Sequence, residues 1–505
     1  MNSRTSKSMR NITFGVLNQV IIMILGFVSR VIFLKFLNEN YLGVNSLFTE
    51  ILSILSLADL GMSTVMVYSF FEPLAKHDEN KIRSLLTFYK KIYNVIAAVV
   101  AGIGIALLPF LHLIVNLESD IKFLYGYYLL FLLKTVLSYL FVYKVSILNA
   151  DQNNYIVSRI ASSVKIGTTI AQIIVLYITK SYLLYLILDV ASTWVNNVWC
   201  AKKADKLYPF IKVKSDLSEK EKKSIVDNIK SGFLYKFSSV LLNSTDNTII
   251  SMLLGTVVVG YFSNYGLVIS RLSVFINTIF ASLNGSIGNL IATEQQDKRY
   301  EIFSILQVFS FFLSSVSGIC VYMMMNDFVF LWIGEKYILN KDVLIACMLN
   351  FYLSVVLQPL WSYRDATGLY RKTKYVMLCT AIINIVLSIL LGSYIGLSGV
   401  IFASVISRLI TYFWYEPILL FKNYFGISSA RYFFKHAYNI ILVMCILLFE
   451  SLNVGKIASN NWGQFFLKAA AILFVTVVIF LLANCWQKDF KRTVSFVIKK
   501  VRCSK

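Results

Sequence analysis

Apolar runs of about 18 residues or more, each closed by a short polar or basic stretch, follow one another along the whole chain. A helix of ~20 residues crosses the ~30 Å hydrocarbon core of a bilayer, and it satisfies its own backbone in lipid. With five prolines and 23 glycines in 505 residues, the chain lacks the turn chemistry of an all-β architecture. The pattern predicts spans over 12–37, 43–72, 84–116, 121–147, 155–179, 182–201 and 231–254. Seven more follow over 257–292, 301–326, 342–363, 372–393, 397–421, 433–452 and 463–486. These make an all-α polytopic membrane protein of about fourteen transmembrane helices. The first run is longer than the ~7–15-residue core of a cleavable signal and has no small-residue cleavage site after it, so it is expected to stay as a span.

Polar positions inside the spans recur at helical spacing, and a lipid-facing helix has no use for such a stripe. The first span carries Gly15, Gln19, Gly26 and Arg30, and the fifth carries Ser158, Ser162, Lys165, Thr169 and Gln172. Ser239, Asn243 and Asp246 mark the seventh, Ser270, Ser273, Asn277 and Asn284 the eighth, and Asn350, Ser354 and Gln358 the tenth. Small residues at this spacing also pack helices closely, and that role covers the serines and glycines alone. Gln19, Gln172, Asn243, Asn277, Asn284 and Gln358 are read as polar cavity lining. The last two spans, with "NIILVMCILLF" and "AAAILFVTVVIFLLAN", have almost nothing polar in their middles and are read as peripheral.

The loops separate by charge. "KHDENKIR", "EQQDKR", "YRDATGLYRKTK" and both terminal segments are basic, whereas "NENYLG", "LGTVV" and "GSYIGLSG" are nearly free of Lys and Arg. Basic loops stay cytoplasmic, so both termini are expected there, which requires an even number of spans. The longest internal loop, 202–232, is basic too, and Ser218 with Glu221 fits a capping box for a helix presenting Ile225 and Ile229 to headgroups or to solvent. "SRVIFLKFLNENYLGVNSLF" (29–48) and "TDNTIISMLLGTVVVGYFSNYG" (245–266) place a charge, a short loop ending in glycine and an aromatic-bearing helix in the same order. The expected organisation is a six-helix lobe over 1–201, a basic cytoplasmic linker over 202–230 and a second, pseudo-symmetric six-helix lobe over 231–426. Two extra helices and a basic tail fill 427–505.

Charge within the spans is harder to absorb. At ~1.5 Å per residue, Lys134, Lys165, Arg271 and Arg408 lie about 15–20 Å from the nearer loop, and Arg30, in "LGFVSRVIFLKF", is deep as well. Against them stand Asp59, Asp189 and Asp246. A charge at that depth costs at least ~2.5–3.5 kcal/mol, so each needs a partner or a wet cavity. Five cations against three carboxylates leave a positive excess, which must face water or an anionic ligand. Arg30, Lys134, Lys165, Arg271 and Arg408 are therefore expected to line a cationic cavity between the lobes.

Composition narrows the classes. The net charge of +22 sits between the spans, where it meets anionic headgroups rather than nucleic acid. Seven scattered cysteines and three isolated histidines give neither a disulfide framework nor metal-ligand spacing. No catalytic pair, cofactor motif or GxxxxGK[ST] phosphate loop is present, so the chain does not read as an enzyme.

The stretch "NQVIIMILGFVSRVIFLKFLNENYLGVNSLFTEILSILSLADLGMSTVMVYSFFEPLA" (18–75) resembles the opening of bacterial polysaccharide-export, or Wzx-type, flippases. These belong to the multidrug/oligosaccharidyl-lipid/polysaccharide (MOP) superfamily. The likeness rests on the arginine of the first span, "YLG" at its end, "LADLG" in the second span and "NSTDNTIIS" opening the second half. It implies two six-helix lobes plus two helices in the bacterial cytoplasmic membrane, working by alternating access. The substrate it implies is an undecaprenyl-pyrophosphate-linked oligosaccharide repeat unit of capsule, O-antigen or exopolysaccharide. Polysaccharide polymerase and chain-length machinery would be partners, beside membrane lipids. The five deep cations would then hold the pyrophosphate, since Arg offers its oxygens a forked set of donors. Asp59, Asp189 and Asp246 would either pair with cations or couple transport to protons or sodium. Tyr41, Tyr261 and Tyr265 would stack on sugars or form an interfacial belt. A multidrug cation antiporter of the same superfamily is the nearest alternative, and a membrane polysaccharide polymerase or ligase the next. The first would favour an acidic cavity, and the second a large outer loop with catalytic side chains.

Overall fold

The computed structural model describes residues 4–56, 62–118, 121–151, 153–213, 215–457 and 459–503. Within them, the side chains of 4–19, 63–65, 68, 75, 154, 212, 224, 228–232, 282, 284–286, 289, 292, 370, 371 and 496–503 lie outside the description. All regular structure among the described residues is helical. In order come α1 (Arg4–Leu55), α2 (Met62–Ala75), α3 (Glu79–Ala106), α4 (Leu111–Ile114), α5 (Leu124–Tyr139), α6 (Val142–Ala150) and α7 (Asn154–Thr179). Then follow α8 (Tyr182–Leu207), α9 (Glu219–Asn243), α10 (Asp246–Leu254), α11 (Thr256–Thr293), α12 (Gln296–Ile333), α13 (Lys341–Val356) and α14 (Gln358–Thr367). The chain ends with α15 (Tyr370–Ile395), α16 (Leu397–Ile410), α17 (Tyr412–Leu420), α18 (Ala430–Asn453), α19 (Trp462–Asn484) and α20 (Lys488–Cys503).

Nine helices among the described residues are long and apolar enough to cross a membrane. The number rises to eleven if the bent pairs α5–α6 (46°) and α13–α14 (42°) each make one span. The protein is thus a multi-pass membrane protein, and helix fills the greater part of every expected span. The count of fourteen is not reached by length and apolarity, for identifiable reasons. α1 runs through the first span and into the second, with only a bend at Asn38 (φ 71°, ψ 177°), and the Asn38 Oδ1 accepts from the Asn40 amide at 3.1 Å to restart the helix. α10 has nine residues, and α8 and α9 mix charged side chains into their runs.

Contacts gather the chain into two units, Met1–Gly260 and Tyr261–Lys505. In the first, α1 packs on α7 and α5, and α8 on α5 and α7. Phe48 meets Tyr128 (5.3 Å) and Phe131 (5.7 Å) edge-on at its core. α1 also passes close to the start of α11: a Cβ on Gly43 would strike the Thr256 carbonyl, and one on Gly260 the Glu39 carbonyl. Thr256 stands four residues before Gly260, as Glu39 does before Gly43, so the glycines matched in the repeat comparison play reciprocal parts in one crossing. The basic loop is docked, not loose. Ser215 and Asp216 bond Ser84 and Lys91 of α3 at 2.8 and 3.0 Å, and Glu221 pairs with Lys81. Ser218 and Glu221 do form the capping box, but it opens α9 rather than a separate short helix, and Ile225 is buried instead of facing headgroups.

In the second unit α12 is central, touching α13, α14, α18, α19 and α20. Its buried Ser304, Ser310, Ser314 and Ser315 let neighbours approach closely. α18 and α19 are apolar towards the outside but turn their few polar groups inward. Asn439 donates to the Tyr352 hydroxyl (2.6 Å), Thr476 to the Glu450 carboxylate (2.7 Å) and Lys468 to Asp327 (2.7 Å).

Candidate functional site

The first unit brings several expected site residues together. Lys134 on α5 and Asp189 on α8 form an ion pair at 2.5 Å. One turn before Asp189, the Tyr185 hydroxyl hydrogen-bonds with Ser29 and lies within electrostatic reach of both Arg30 and Asp189. Gln172 on α7, almost fully buried, donates its amide to the Tyr185 carbonyl at 3.2 Å. The cluster therefore joins α1, α5, α7 and α8 and contains two cations, Arg30 and Lys134, to one carboxylate, Asp189. Aromatic rings close it on one side: Phe33 packs against Tyr185 (5.3 Å) and Tyr182 (5.9 Å), and Tyr182 against Tyr41 (5.0 Å) and Tyr127 (4.8 Å). Low-dielectric walls of this kind strengthen any charge interaction beside them.

Lys165 stands two turns before Gln172 on α7, and its side chain is exposed. Asn243 is exposed at the end of α9 and donates to the Ser239 carbonyl at 2.6 Å. Asp246 opens α10 beside Glu50 of α1, whose carboxylate accepts from the Asn247 amide at 2.8 Å. Sequence reasoning passed over Glu50, although a carboxylate inside an expected span was a visible signal. Asp59 lies outside the described residues, and so does the side chain of Gln19 on α1.

In the second unit, Arg408 on α16 is 8% exposed and donates to the Asn350 Oδ1 of α13 at 2.8 Å. Tyr412, one turn on, lies within electrostatic reach of Arg408, Glu416 and Arg364. Arg364 and Glu416 form a buried ion pair at 3.1 Å, and neither was anticipated. On α11, Arg271 is half-buried, Asn277 accepts from Gln358 at 2.6 Å, and the Asn284 side chain is outside the description. Tyr261 packs on Tyr337 (5.5 Å). Tyr265 neither stacks on sugars nor joins an interfacial belt. It is fully buried, its hydroxyl donating to Asn326 (2.6 Å) and accepting from the Leu339 amide (2.8 Å).

Chemically, an arginine and a lysine gathered in one cluster suit the oxygens of an anion, to which Arg30 offers a forked set of donors and Lys134 a point charge. Among the described residues no group of three or more His, Cys, Asp or Glu side chains is arranged to hold a metal ion.

No protein-family profile matches the chain, and no curated protein does. Solved structures do. The lipid II flippase MurJ, in an inward closed conformation, superposes with a TM-score of 0.68 at 15% identity, covering 94% of this chain and 99% of that one. An inward-facing multidrug resistance MATE transporter of the MOP superfamily gives 0.61 at 12% identity, over 79% of this chain and 97% of that one. The eukaryotic MATE transporter AtDTX14 gives 0.57 at 13% identity, over 93% and 99%. The fold is that of MOP-superfamily transporters.

Proposed function

We propose that the protein is a polysaccharide-export flippase that moves undecaprenyl-pyrophosphate-linked oligosaccharide repeat units across the bacterial cytoplasmic membrane by alternating access. The observation that carries this reading is the cluster that gathers Arg30, Lys134 and Asp189 with hydroxyls and aromatic rings inside a membrane-spanning unit. A diphosphate fits such a cluster, because the Arg30 guanidinium can fork onto two of its oxygens. Lys165, exposed on α7 of the same unit, is a further contact for the headgroup. Arg408, buried on Asn350, acts by holding α13 and α16 together. The fold shared with a lipid II flippase fits a lipid-linked substrate. Both termini would lie in the cytoplasm, with polymerase and chain-length machinery as partners beyond the membrane step.

The test is export. Arg30→Ala is expected to lower surface polysaccharide by about tenfold or more at unchanged protein abundance, the scale of one lost charge-assisted contact. Arg30→Lys keeps the charge without the fork and should recover only part of it. Full export by both variants, and by Arg30→Ala with Lys134→Ala, would remove the headgroup site.

A second reading, a multidrug cation antiporter, is favoured by one observation. Glu50 and Asp246 put two carboxylates side by side in the first unit, where an organic cation or a proton could be held. Drug resistance conferred by the wild-type chain and lost in Glu50→Gln, with polysaccharide export unaffected, would decide for it.

A further inference from the structure

The α20 helix has no part in the site above, yet its residues are sorted by angle. At ~100° per residue, Lys488, Lys491, Arg492, Lys499 and Arg502 fall in one sector of the helix about 100° wide. Phe490, Val494, Val497, Ile498 and Val501 fall in another. Asp489 and Thr493 face the protein: both are buried, and the Asp489 carboxylate takes Lys435 of α18 at 2.7 Å and Arg431 at 3.4 Å. The only acid of the helix is thus engaged by α18 and by Arg492 (4.0 Å), while Lys488 and Lys491 are exposed. Three residues separate α20 from the membrane-crossing α19, and one of them is Trp486, 66% exposed. A tryptophan at the end of a span belongs at the headgroup level, so α20 begins there. An apolar sector beside a cationic one, starting at headgroup depth, describes a helix lying in the membrane surface.

We propose that α20 binds anionic phospholipid headgroups in the leaflet where α19 ends, with Lys488 and Lys491 supplying the charge and Val494 the apolar contact. Charge complementarity selects this occupant: Arg492 faces Asp489 (4.0 Å) and the acids Glu294, Asp297 and Glu301, Lys488 and Lys491 are exposed beside it, and the adjoining apolar sector needs acyl chains. Asp489 fixes the helix to α18, which makes α20 a lipid-reading element joined to the transport body.

Amide hydrogen exchange over 488–503 tests this in the full chain, held in nanodiscs of phosphatidylcholine alone or mixed with phosphatidylglycerol. Exchange should be roughly ten- to a hundredfold slower in the anionic discs, and high salt should reverse the difference. Lys488→Gln with Lys491→Gln should erase it, and Val494→Asn should speed exchange in both lipids. In Asp489→Asn the dependence on anionic lipid should persist. Equal exchange in the two lipids, or loss of the dependence in Asp489→Asn, would overturn the proposal. Protection that appears only when polyglutamate is added would overturn it in favour of an acidic protein partner.

Discussion

Glu416 has a side chain only 2% exposed, and Arg364, 10% exposed, answers its charge at 3.1 Å. Such a pair is worth little against a well-packed apolar one, but removing a single member strands the other. Arg364→Ala is therefore expected to cost about 3–5 kcal/mol in detergent thermal unfolding, and Arg364→Met with Glu416→Leu to recover most of that. Glu221 shows the opposite setting, at the surface. Hydrogen bonding from Lys81 and then Ser218 lowers its carboxyl to about 2 from the ordinary 4.5 of a glutamate. A depressed carboxylate stabilises the fold above its unfolded pKa, and that contribution fades as pH falls from about 4.5 towards 2. Limited proteolysis of the loop docked on α3 should accelerate across that window, and Glu221→Gln should make it fast at neutral pH as well. Glu416 was legible as a lone acid among the aromatics of "YFWYEPILL". Its partner was not, because Arg364 reads as part of a basic loop when the tenth span is closed at 363. The helix resumes after a 42° bend and carries Arg364 back into the unit.

Hydropathy located nearly all the helices, because burial in lipid demands both length and internal hydrogen bonding, and both can be counted in a sequence. It could not locate which face of α18 and α19 turns inward. Asn439, Glu450, Lys468 and Thr476 are diluted among aliphatic neighbours, and their partners lie on α12 or α13 or on each other. The crossing of α1 over the start of α11 was half legible: the spacing to Gly43 and Gly260 was visible, its steric reason was not. Gly43→Ala drives a methyl group into the Thr256 carbonyl and is expected to cost about 1–3 kcal/mol. Gly102→Ala, with open space around its Cβ inside α3, should instead gain about 0.5–1 kcal/mol. Melting temperatures of the two purified variants against wild type check the pair.

Under the proposed transport function, the carboxylates Glu50 and Asp246 would be the place where protons or sodium couple to it. Glu50→Gln with Asp246→Asn is expected to flatten the pH or sodium dependence of transport into proteoliposomes while lowering its rate about tenfold, the cost of one lost ionic contact. Unchanged rate and unchanged ion dependence would assign the two a purely structural part. At the same scale the bend at Asn38 has its own consequence. A straight 52-residue α1 would measure ~78 Å, more than twice the hydrocarbon thickness. The chain must change heading at Asn38, and it does so at this single non-helical residue, with helix on either side. An inserted epitope or a protease aimed at a connection between the first two membrane passages should therefore find no slack there to accept it.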